Sequence, residues 1–172
     1  MSGSENIAVR TSAAWIGLLL AAFCATAATA HHTGFQLVTA EEFQREEDAR
    51  NLVTRSANAR QPAEPGSQRA ADGPLIEVVT PDASTPVHAP VDISVRFAPG
   101  PDARIVIDSL HIRYGLIGLD VTDRIGKAAR VTEQGIDAPG ASLPAGSHAM
   151  SIEISDSAGR TTRQAFRFRV EK

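Results

Sequence analysis

LPAGSHAMSIEISDSAGRTTRQAFRFRV, residues 143 to 170, decides the fold. Apolar and polar residues alternate from His148 through Met150, Ile152 and Ile154, break at DSAG (residues 156 to 159), and alternate again through Phe166, Phe168 and Val170. A period of two is the signature of strands with one buried face, and a short glycine-bearing break between two such runs marks a hairpin. The parity places His148 on the inward face.

The same period extends upstream. PVDISVRFAPG (90 to 100) points Val91, Ile93, Val95 and Phe97 one way and Asp92, Ser94 and Arg96 the other. LIEVVT (75 to 80) is a first strand ended by Pro81, and SLHIRYG (109 to 115) directs Leu110, Ile112 and Tyr114 inward. LIGLDVTDRI (116 to 125) reads as a short strand running into a helical turn, and weaker strands are expected at 129 to 132 and 138 to 143. About seven short strands with turn signals every 8 to 12 residues predict an all-β, immunoglobulin-like β-sandwich over residues 74 to 172. A small barrel is the competing closure. Single-sided strands and proline-rich corners favour two sheets.

The preceding residues differ in kind. AAWIGLLLAAFCA (13 to 25) is an uncharged apolar run following Arg10, and TAATA follows with Ala28 and Ala30 at the small positions a signal peptidase reads. The run is shorter than the ~20 residues that span a bilayer. Residues 1 to 30 are therefore expected to be a signal peptide, with a retained anchor as the alternative. Phe23 before Cys24 argues against lipid attachment. Cleavage after Ala30 would remove Cys24, the only cysteine, so no disulfide could staple the remainder. From residue 31 onward there are 16 basic and 19 acidic residues, and no basic stripe with interleaved aromatics, which excludes a nucleic-acid surface. The expected location is periplasmic or secreted, with no membrane association after cleavage.

Residues 31 to 73 read as a polar helix and a linker. Thr39 is an N-cap with Glu42 at the reciprocal position of a capping box, and Val38 and Phe43 can form a hydrophobic staple. The helix is expected to run to about Arg55 with an i,i+4 pair Glu46–Arg50. Its apolar stripe is thin, so it needs a docking surface or it frays. SANARQPAEPGSQRAADGP (56 to 74) has the composition of a flexible linker.

Candidate chemistry is sparse. Asp120, Asp123 and Asp156 fall in turns, where Asx turns and caps are their expected work. Gly-x-Ser-x-Gly, His-Glu-x-x-His and Walker patterns do not occur. LPAGSH resembles the Leu-Pro-x-Gly corner of fibronectin type III and related domains, in which a tyrosine bonds backbone at the corner. The resemblance implies a structural role for His148, an imidazole in place of the phenol, and implies that tyrosine is tolerated there better than alanine. His31, the first residue after the expected cleavage, resembles the N-terminal histidine of lytic polysaccharide monooxygenases and periplasmic copper-carrier sandwich proteins. That resemblance implies copper held by the amine and ring of His31, with His32 beside it and His88 or His111 as the outward candidates for a further ligand. GPLIEVVTP, GLDVTDRI and LPAGSHAMSIEISDSAGR together resemble a group of exported proteobacterial proteins with one immunoglobulin-like domain. The expectation is a non-enzymatic binding or assembly module with a protein partner in the cell envelope and no cofactor. A copper-binding protein is the alternative, and a hydrolase without a recognisable motif the third.

Overall fold

A computed structural model describes residues 34–56 and 66–172. The expected signal segment, His31, His32 and the middle of the expected linker lie outside the described residues.

The chain is a β-sandwich. Strands β1 (Phe35–Gln36), β3 (Leu75–Thr80), β5 (Val91–Ala98), β8 (Arg130–Thr132) and β9 (Gly135–Ser142) form one sheet, in the order β1–β9–β5–β3 with β8 also on β9. The other sheet contains β2 (Gln68–Arg69), β4 (Val87–His88), β6 (Ile105–Tyr114), β7 (Leu119–Asp120), β10 (Gly146–Asp156) and β11 (Thr161–Glu171), in the order β2–β11–β10–β6–β7 with β4 also on β11. Among the described residues there are two helices, α1 (Ala40–Ser56) and α2 (Thr122–Ala128). With β3, β5, β8 and β9 in one sheet and β6, β10 and β11 in the other, the strands divide as the seven of a constant-type immunoglobulin domain.

Alternation builds the core. In β5, Val91, Ile93, Val95 and Phe97 are buried while Asp92 and Arg96 are exposed. They meet Ile112, Met150, Ile152, Ile154 and Phe168 of the facing sheet in one apolar cluster. The β10–β11 hairpin pairs from Gly146↔Val170 to Ser155↔Thr161 without a slip. Its turn is held by Asp156, whose buried carboxylate accepts hydrogen bonds from the N–H of Ala158 (3.0 Å) and Arg160 (3.1 Å) and from the Arg160 guanidinium (2.8 Å).

Helix α1 has the docking surface that so polar a helix requires. Its capping box is formed: Thr39 N–H donates to Glu42 (2.9 Å) and Glu42 N–H to the Thr39 hydroxyl (3.2 Å). Before it, Leu37 and Val38 are buried, and β1 runs parallel to β9 through Phe35↔Ala141 and Gln36↔Ser142. Phe43 stands against Gly146, where a Cβ would lie 2.5 Å from its ring, and against the His148 ring at 5.1 Å between centroids. Arg124 of α2 grips the Glu42 carboxylate with both guanidinium nitrogens (2.8 and 2.6 Å) and also donates to Leu37 O (2.9 Å). The end of the expected linker, residues 66 to 73, carries β2 on the rim of β11, and Arg69 folds back onto Gly73 O (3.0 Å).

Candidate functional site

Each histidine in the described residues has a definite place. His148 is buried at the start of β10. Its Nε2 lies 2.8 Å from Pro144 O and its Nδ1 2.8 Å from the Tyr114 hydroxyl. Phe168 stacks on the ring at 5.3 Å and Phe43 covers it. Burial pushes the imidazole below its ordinary pKa; the Pro144 bond opposes this and the charge of Arg50 adds to it. Both ring nitrogens are thus engaged, aromatic rings surround the imidazole, and solvent does not reach it.

His88 and His111 are exposed and far from each other. His88 is opposite Glu171 at one end of β11, whereas His111 is opposite Glu153, which in turn faces Arg163 near the other end. Eight residues along a strand and three strand spacings across separate them by roughly 30 Å. One metal ion cannot take both as ligands. The Asp120 carboxylate lies 3.9 Å from His111 Nδ1. Among the described residues, no group of three His, Cys, Asp or Glu side chains is placed to hold a metal ion. Asp120 accepts the Thr122 N–H (2.9 Å) in an Asx turn that enters α2.

Sequence reasoning missed Glu46. As one half of an i,i+4 pair it looked like a surface residue, yet it is fully buried, and its carboxylate accepts the N–H groups of Leu116 (2.6 Å) and Ile117 (3.1 Å) while Arg50 closes over it at 3.2 Å. Gly115, at φ +72°, makes room, since a Cβ there would overlap the carboxylate. The signal was available: Phe43, Glu46 and Arg50 share one helical face, so a face that buries the phenylalanine also carries the glutamate inward.

Strand β3 has an open edge. It ends its sheet, with β5 on one side and, among the described residues, no strand on the other. The pairing Leu75↔Ala98, Ile76↔Phe97, Glu77↔Arg96 and Val78↔Val95 fixes which backbone groups remain. Phe97 N–H donates to Gln134 O on the β9 side (2.9 Å), so Arg96 and Ala98 are the β5 residues that bond β3. Their partners Glu77 and Leu75 are thereby engaged, and Ile76 and Val78 turn their N–H and C=O groups to the open edge. Leu75 and Val79 are 47% and 40% exposed, and Glu77 lies exposed between them. An edge whose outward backbone groups meet no strand among the described residues, with exposed apolar side chains beside them, is of the kind that can pair with another strand.

No protein-family model matches the chain, and no curated protein matches it. Among solved structures, CopC from Methylosinus trichosporium OB3b is similar at 16% identity and a TM-score of 0.36, over 56% of this chain and 94% of that one. Among the described residues no helix is long and apolar enough to cross a membrane.

Proposed function

We propose that this protein is a non-enzymatic binding or assembly module of the cell envelope, periplasmic or secreted, that takes an extended segment of a protein partner onto β3. The open edge of β3, with the backbone of Ile76 and Val78 unclaimed by β5, carries the reading. Main-chain hydrogen bonds supply affinity in strand addition, and alternate side chains supply selectivity. A photo-crosslinker in place of Val79 should capture the partner in cells. Val78→Pro removes an outward N–H without touching the β5 ladder, so it should abolish capture while the fold is retained. Capture undiminished by Val78→Pro, or no capture at all, would sink the proposal.

A second reading rests on His31, which would head the chain after cleavage at Ala30. Its amine and ring, with His32 beside it, would then hold one Cu(II). Processed protein should bind a single Cu(II) tightly, and one extra residue before His31 should abolish this. Equal weak binding by both forms would mean non-specific histidine contact.

A further inference from the structure

The side chains along the open edge of β3 limit what can pair with it. Leu75 and Glu77 are exposed on the regular part of the ladder and Val79 is exposed at the irregularity between Val78 and Thr80, so an added strand must place side chains beside all three. Two of the three positions want apolar cover. The middle one is a carboxylate.

A second copy of this chain is a poor occupant. The antiparallel register that sets Leu75 against Val79 of the other copy also sets Glu77 directly opposite Glu77. Like charges facing each other across a ladder are destabilising, and an edge charge of this kind is a known device against self-pairing. Shifting the register by two residues to relieve the repulsion puts a carboxylate against an apolar side chain instead. The same geometry favours a strand of opposite sign.

We infer that the strand received at β3 comes from a different protein and carries a lysine or arginine opposite Glu77, flanked at alternate positions by apolar residues that cover Leu75 and Val79. This rests on the strand-addition reading above.

Two blocked peptides test it, Thr-Val-Thr-Lys-Thr-Val-Thr and the same sequence with Glu for Lys, titrated to millimolar concentration into the isotope-labelled full chain. The Lys peptide should move the amide resonances of Ile76 and Val78, and bind about fivefold more tightly than the Glu peptide at low salt. The ratio should shrink toward one at high salt. Glu77→Lys, an exposed change, should invert the preference, and Glu77→Val should make the chain self-associate. Equal binding of both peptides with no effect of Glu77→Lys overturns the basic-residue inference and leaves strand addition standing. If neither peptide moves these resonances, both are overturned. Wild-type chain dimerising through this edge would make a second copy the occupant, and that too overturns the inference.

Discussion

The Tyr114 hydroxyl donates a 2.8 Å hydrogen bond to Nδ1 of His148. The direction follows from the other ring nitrogen: Nε2 faces the Pro144 carbonyl at 2.8 Å, a carbonyl can only accept, and so Nε2 carries the proton. The neutral imidazole thus links strand β6 to the corner that starts β10. Tyrosine at 148, the residue similar corners use, satisfies Pro144 but offers Tyr114 no equivalent ring nitrogen. Tyr114→Phe in the natural background should therefore cost about 1–3 kcal/mol, because Nδ1 is left buried without a donor. In a His148→Tyr background the same change should cost less, since it removes an orphaned hydroxyl. His148→Ala should be the worst single change, losing both bonds and leaving a cavity. Urea unfolding of the four-member cycle measures the coupling, and strict additivity would mean that the bond contributes nothing.

The same burial makes stability depend on pH near neutrality. The folded imidazole has a lowered pKa, first because it is desolvated, with the nearby Arg50 charge adding to this and the Pro144 bond opposing it. The unfolded histidine takes its proton near pH 6.5, so on acidification the unfolded state binds a proton first. The contribution is complete above about pH 6.5 and is lost as pH falls from there through the folded value. Unfolding free energy should decline across that window in the natural protein and stay flatter in His148→Gln. Parallel profiles for the two would show that His148 is not the group responsible.

Glu46 anchors helix α1 to the turn between β6 and β7. Glu46→Ala leaves the buried N–H groups of Leu116 and Ile117 without their acceptor, each at a cost of ~1–3 kcal/mol less whatever water recovers. Hydrogen exchange should show the loss concentrated in α1 and the 115–118 turn, with β5 and β9 much less affected. Gly115→Ala should act similarly by a different route, since it sets a methyl group against the carboxylate in a left-handed backbone conformation. Uniform loss of protection throughout the sandwich would mean that helix and sheets unfold as one unit.

Much of the fold was legible because its elements are long and alternate strictly. β5, β10 and β11 carry inward and outward residues without interruption, and the capping box of α1 has both its members in sequence. The two-residue strands β1, β2 and β4 were not legible, since a pair of residues has no period and their pairing is decided by the strand they reach. The first half of β6 was hidden by an irregularity: Ser109 turns its hydroxyl back to Val106 O (2.6 Å) and receives Ser155 N–H (2.8 Å), which breaks the alternation. The open edge of β3 was hidden for a third reason. A strand sequence shows which side chains face in, whereas its place in the sheet depends on which other strands pair.

At acid pH one contributing contact is Glu42 with Arg124. The Arg124 guanidinium, bonded to both carboxylate oxygens, lowers the Glu42 pKa from 4.5 to about 2; burial opposes this, and the Thr39 N–H and hydroxyl reinforce it. A carboxylate with a depressed folded pKa stabilises the fold above its unfolded value and loses that contribution as pH falls through the folded one, here from about 4.5 to about 2. Carboxyl NMR should therefore find Glu42 still ionised at pH 3. Arg124→Met removes the grip on the carboxylate and the bond to Leu37 O, so Glu42 should titrate closer to its ordinary value. The stability lost between pH 4.5 and 2 should shrink in that variant, because less of it was present at neutral pH. A natural-protein Glu42 that titrates near 4.5 would mean that the ion pair is not formed in solution, and the variant would then leave the acid limb unchanged.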